Sequence, residues 1–171
     1  MTPNPIDILL DPLTAYRFVV TLNPGDAHLP PKQAAQIKLY ALGGFQEARG
    51  LGADLEVTAY SEGGVNDYVH QLPVRHSWTR ISLRRGLTIG RGLWEWYEAG
   101  LTQSLGARRD GSVILLSPAG IPMCAWEFNG GLAAKWTGPD FNATQNAIAI
   151  ESVEIAHQGV RQIGIPVPLP I

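Results

Sequence analysis

The sequence predicts a mainly β fold, a small antiparallel β-barrel or sandwich with one flanking α-helix. Three observations lead to it: stretches in which apolar and polar residues alternate, one stretch where bulky apolar residues recur at steps of three and four, and glycine- and proline-rich turns between them. A chain of 171 residues is long enough to bury one core, and a single domain over 1–171 is the expectation.

Tyr16, Phe18, Val20 and Leu22 alternate with Arg17, Val19 and Thr21, which is the period of a strand with one face on the core. Residues 24–42 start with Pro24 and Gly25 and pass through Pro30 and Pro31, so they read as an inserted loop. Within it Ala34, Ala35, Ile37, Lys38, Leu39 and Ala41 are spaced for a short amphipathic helix. Alternation returns from Gly43 to Leu83, in Leu55, Val57 and Ala59 and again in Thr79, Ile81 and Leu83, with Gly63-Gly64 and Asn66-Asp67 as turns. Then the period changes. Ile89, Leu93, Trp96, Tyr97 and Leu101 define a helix from about Ile89 to Leu105, with Leu93, Trp96 and Leu101 expected on its packed face.

After a turn at Arg108 to Gly111, the apolar run Val113 to Leu116 is too short for a helix and reads as a buried strand. Ser117 to Gly120 turns the chain, Cys124, Trp126 and Phe128 alternate with Ala125 and Glu127, and Leu132 to Trp136 reads as a further strand. Ala147 to Ala156 supplies a last one. Its apolar set moves from Ile148 and Ile150 to Val153 and Ile155, which implies a bulge near Glu151-Ser152 or a change in the covered face. Residues 160–171 are expected to form an extended proline-rich tail, since prolines cannot enter a sheet interior.

Composition narrows the function. The chain is 45% hydrophobic and 16% charged with net charge −2, globular but less charged than most domains, which points to surface covered by partners. No basic excess supports specific nucleic-acid binding. Cys124 is the only cysteine, which excludes an intrachain disulfide and a cysteine-based zinc site. Met1 to Leu10 does not read as a secretory signal and no apolar stretch approaches the ~20 residues of a membrane span, so synthesis in the cytoplasm without membrane insertion is the expectation.

Candidate chemistry gives way to simpler readings. His70 and His76 are separated by Pro73 and read as strand or surface residues, not metal ligands. Glu95 and Glu98 share a helix but belong to its solvated side. Arg84 and Arg85 precede the helix and could meet an anion there, yet exposed charge, or a carboxylate on a neighbouring subunit, explains them better. Gly63 to Tyr68 has the residues of a tight turn, which suffices without a ligand. No nucleophile elbow, phosphate-binding loop or metalloprotease motif is present, so no catalytic, cofactor-binding or metal residue is assigned and an enzyme is not expected.

Several ordered blocks carry a resemblance. Gly43 to Leu51, Tyr60 to Tyr68, Leu72-Pro73, Ile81 to Leu87, Leu93 to Tyr97, Trp126-Glu127-Phe128, Lys135 to Asp140 and Ile150 to His157 are similar, in this order, to contractile phage tail tube proteins and to inner-tube proteins of extracellular contractile injection systems. The resemblance implies a tail-tube-like β-barrel subunit, hexameric rings stacked into a hollow tube, and sheath and baseplate proteins as partners, with possible cargo in the lumen of a phage-tail-like particle. The 24–42 insertion and the tail go beyond the compact pattern, which fits either a repeated tube ring or the specialised first ring on a baseplate. A different class of function stays open beside it: a monomeric β-sandwich carbohydrate-binding module with Trp78, Trp126 or Trp136 as the stacking platform.

Overall fold

The computed structural model describes residues 14–15, 17–22, 44–64, 67–103 and 107–164. The 24–42 insertion, the short helix expected within it and residues 165–171 lie outside these. The strands are β1 (Phe18–Thr21), β2 (Phe45–Arg49), β3 (Ala53–Tyr60), β4 (His70–Trp78), β5 (Ile81–Gly86), β6 (Arg109–Leu116), β7 (Pro122–Thr137), β8 (Ile150–Ala156) and β9 (Gly159–Gly164), and the helix α1 is Gly92–Gln103. All pairings are antiparallel, and the expected mainly β architecture with one flanking helix is what the described residues form.

β7 organises the molecule. Its first part lies between β6 and β9, while residues 132–137 pair with β8, which continues through β5 to β2. The sequence reading of two strands here is corrected to one 16-residue strand. The Gly130-Gly131 pair, which lies between the two stretches read as separate strands, is the place where the strand turns from one group of partners to the other. Gly130 takes φ +60, a left-handed value that costs glycine least. Its N–H donates to Asp110 Oδ1 at 2.7 Å, and the N–H of Gln158 donates to the carbonyl of Asn129 at 2.9 Å. Register is kept across the bend, with Asn129 opposite Gly159 and Leu132 opposite Ala156.

A glycine on each side makes room for Phe128. A Cβ on Gly131 would stand 2.6 Å from Phe128 Cε2, and one on Gly111 would stand 2.5 Å from Phe128 Cζ, so the fully buried ring fills the space of both missing side chains. Phe128 packs with Val20, Ile81, Leu83, Val113, Val153 and Ile155 from the surrounding strands, and α1 closes this core with Leu93 and Trp96. β6 is buried on consecutive residues at Ser112, Val113 and Ile114, which is why its sequence reads as a continuous apolar run.

Three further expectations are corrected. Leu101 is 67% exposed and Ile89 also lies open to solvent, because α1 begins only at Gly92 and turns Leu93 and Trp96 inward. β8 contains no bulge against β5; Glu151, Val153 and Ile155 share its buried face, and the parity change arises because a carboxylate holds one core position. Residues 160–164, expected in the tail, lie in β9 and pair with β7, since the prolines begin only beyond them.

Trp96 also donates its Nε1–H to the carbonyl of Ala107 at 2.9 Å, tying the helix to the start of β6. Trp96→Ala is expected to cost about 3–5 kcal/mol, and Leu101→Ala less than about 0.5 kcal/mol, in urea unfolding. Equal midpoints for the two variants would remove Trp96 from the core.

Candidate assembly interface

β3 and β4 form a two-stranded hairpin that stands apart from the main sheet. Every residue of β3 is exposed. Alternation puts Leu55, Val57 and Ala59 on one side and Asp54, Glu56 and Thr58 on the other, so the hairpin has an apolar stripe with nothing among the described residues over it. Leu55 is 59% and Val57 50% exposed, and Val74, at the bulge where Val57 faces Pro73, is 60% exposed. An isolated hairpin of this kind is marginally stable in water, and a long apolar strand pair is a surface for pairing.

The root of the hairpin is fixed. Trp78 lies edge-on to His76 with centroids 4.4 Å apart and packs 3.7 Å from where a Cβ on Gly159 would sit. His157 Nε2 donates to the carbonyl of Thr79 at 2.8 Å. Near the tip, His70 Nε2 lies 3.1 Å from Glu62 Oε2, and Tyr68 meets the His70 ring edge-on. The two strand histidines are therefore bound to local aromatic and acidic partners at opposite ends of the hairpin. Gly64 has φ +92, the turn role expected of that pair.

The sheet β7-β8-β5-β2 presents a charged outer face. Lys135 stands directly opposite Glu154, and Glu47 directly opposite Arg84. Glu154 accepts from Lys135 at 3.2 Å and from Arg80 at 3.5 Å; Glu47 accepts from Arg84 at 3.4 Å and also contacts Arg49. The Lys135 hydrogen bond, aided by Arg80, holds the Glu154 carboxyl below the usual carboxylate range. The opposite face of the same strands holds a buried ion pair. Arg85 Nε donates to Glu151 Oε1 at 2.7 Å, Trp136 Nε1 donates to Glu151 Oε2 at 3.2 Å, and the Arg85 guanidinium lies 5.8 Å from the Phe45 ring centre. Arg84 and Arg85 thus part company: Arg84 is exposed on the ladder, and the carboxylate that Arg85 meets belongs to its own chain.

β1 and β2 end the curled sheet without pairing with each other. Between them lies a groove of about 350 Å³ walled by Phe18, Ala48, Leu51, Val113, Leu115 and Trp126, with Glu47 and Arg49 at β2. Among the described residues it opens onto the core at one end. The three tryptophans considered as a platform are kept apart: Trp78 at the hairpin root, Trp126 in the groove, and Trp136 edge-on to Trp94 of α1 at 4.8 Å. Glu95 and Glu98 are exposed on the outer side of α1. Among the described residues no cluster of three His, Cys, Asp or Glu side chains could hold a metal, and no helix is long and apolar enough to cross a membrane. Sequence reasoning missed Glu151 because an acidic residue in an alternating strand reads as solvent-facing; its signal was the parity change itself.

Two consequences can be measured. Arg85→Met leaves Glu151 buried beside Trp136 alone and is expected to destabilise by about 3–5 kcal/mol near neutral pH. A loss below about 1 kcal/mol would overturn this account. The depressed carboxyl of Glu154 adds stability above its ordinary titration range, and this is lost as pH falls through the folded value. Lys135→Ala should return that carboxyl toward the ordinary range in an NMR titration.

Residues 14–161 match the T4-like virus tail tube protein gp19 family. Among solved structures the chain is similar to a subunit of the PVC sheath-tube complex of an extracellular contractile injection system in its extended state, with 21% identity, TM-score 0.73, and coverage of 96% of this chain and 100% of that one. It is also similar to a chain of the anti-feeding prophage tube terminating cap (24% identity, TM-score 0.71, 90% and 92% covered) and to one of the six-fold symmetrised anti-feeding prophage baseplate (23%, 0.71, 92% and 99%). No curated protein sequence matches the chain. An exposed hairpin, sheet ends at β1 and β2 that do not pair among the described strands, and a family match over most of the length agree, and the chain belongs to the T4-like virus tail tube protein family, a family of structural proteins.

Proposed function

We propose that the chain is a ring-forming subunit of the inner tube of a contractile, phage-tail-like injection particle, with six copies to a ring and rings stacked into a hollow tube. The observation that carries this reading is the pair of edges on the β7-β8-β5-β2 sheet. β2 pairs only with β5, and residues 132–137 of β7 pair only with β8, among the described strands. Successive antiparallel pairings make these two edges run in opposite directions. The β2 edge of one copy therefore meets the β7 edge of the next in the sense that continues an antiparallel sheet. Contact between two different edges is head-to-tail, and such contacts close into rings when the rotation between copies closes. Six-fold symmetry is taken from the likeness to the anti-feeding prophage baseplate.

The hairpin supplies a second contact. Burying Leu55, Val57 and Val74 against a neighbour would contribute about 1.5–3 kcal/mol for each side chain that is fully covered. By the same likenesses, sheath and baseplate proteins are the other partners, the tube lumen carries any cargo, and the subunit is made in the cytoplasm before joining the particle. Whether it serves as a repeated ring or as the first ring on the baseplate we assign to the 24–42 insertion and the 165–171 tail, since long insertions in compact domains are commonly functional.

Electron microscopy and sedimentation of the purified protein test this. Rings or tubes are expected, and the double variant Leu55→Asp/Val57→Asp should keep the parent circular dichroism while raising the concentration needed for assembly about tenfold or more. A parent that stays monomeric at every concentration, alone and with particle partners, would overturn the reading.

A further inference from the structure

We infer that the joint between copies is staggered by two residues, with Glu47 of one copy opposite Lys135 of its neighbour, and that surface charge selects this register. The inference rests on the edge-to-edge reading above and adds the alignment that reading leaves open.

Two rows of residues cross the sheet on its outer face. One runs Thr137, Ser152, Arg84, Glu47, and the other runs Lys135, Glu154, Ser82, Arg49. If a neighbouring copy simply extended these rows, Glu47 would meet Thr137 and Arg49 would meet Lys135. Two cations would then stand directly opposite each other, which is destabilising. A slip of one residue is excluded more strongly, because it would turn Ala48 and the other core-facing side chains outward. The smallest allowed slips are therefore two residues in either direction. One sets Arg49 opposite Thr137 and gives neither Glu47 nor Lys135 an oppositely charged neighbour. The other sets Glu47 opposite Lys135 and brings Arg49 against the small residues Ala133 and Ala134.

Geometry argues the same way. A sheet that closes on itself cannot keep straight rows, since closure requires the strands to tilt and the register to stagger. The favoured slip also continues the sign order that already runs strand by strand, from Lys135 to Glu154 to Arg84 to Glu47 and on to the next Lys135. β7 is suited to such a step, since its own pairing with β8 is irregular between Ala133 and Lys135.

Charge exchange between copies tests the register. Glu47→Lys and Lys135→Glu should each raise the concentration needed for ring formation at least about tenfold. Each change also disturbs ion pairs within its own chain, so the decisive sample is the equimolar mixture. In a six-membered ring the two variants can alternate, which places opposite charges at every joint while leaving every chain's internal pairs as broken as before. The mixture is expected to assemble within about threefold of the parent concentration. Oxidation of assembled Glu47→Cys/Lys135→Cys should give covalent multimers on a non-reducing gel, and Arg49→Cys/Lys135→Cys should not. A mixture no better than its components, or cross-linking at 49 in place of 47, overturns the register while leaving the tube reading intact. A parent that forms no rings overturns both.

Discussion

β7 belongs to two sets of partners at once, and the bend that allows this depends on how closely Phe128 approaches the backbone of Gly111 and Gly131. Either glycine with a side chain would collide with the ring or with a carbonyl, at Thr21 on one side and Arg109 on the other. The ring in turn joins the strands of both sets into one core. A single aromatic side chain thus fixes where β7 turns, and with it the angle at which the β7-β8-β5-β2 sheet leaves the rest of the molecule. Both edges proposed to meet neighbouring copies lie on that sheet, so their orientation is set from within the core.

The buried ion pair has a related place. Arg85 and Glu151 face each other across β5 and β8 on the core side, and Trp136 brings β7 into the same contact. Replacing such a pair by apolar residues is often neutral, whereas removing one partner is costly. Three adjacent strands therefore share one directional contact that fails if their relative register changes. Apolar packing alone tolerates small slips more readily.

Much of this was legible in the sequence, for physical reasons that can be named. Alternation found β8, where one face is buried and the other wet, and it found the hairpin because apolar and polar residues alternate there too, although both sides are exposed among the described residues; the Val113 run found β6 because both its faces are covered. The Leu93 and Trp96 steps found the helix but began it too early, since Ile89 precedes α1, and Leu101 continues the spacing within α1 while being exposed; residues 104–105 of the expected helix lie outside the described residues. β7 reads as two strands because local propensity cannot reveal that Phe128 needs the space at Gly131 and that the bend sets Gly130 at a positive φ. β9 was hidden by the prolines that follow it. The candidate interface was legible only in part: the hairpin's turn residues were visible, but that no described residue covers its apolar stripe follows from the tertiary arrangement and not from the local pattern.

The same hairpin carries Asp54, Glu56, Glu62 and Asp67 against the single cation Arg75. An apolar strand pair with so acidic a character will not readily meet its own kind, because like charges repel over roughly the 8 Å Debye length of physiological salt. It remains free to approach a surface of mixed or positive charge. The arm thus carries its own gatekeepers. Arm-to-arm sticking between free copies is thereby opposed, and the opposition weakens as ionic strength rises.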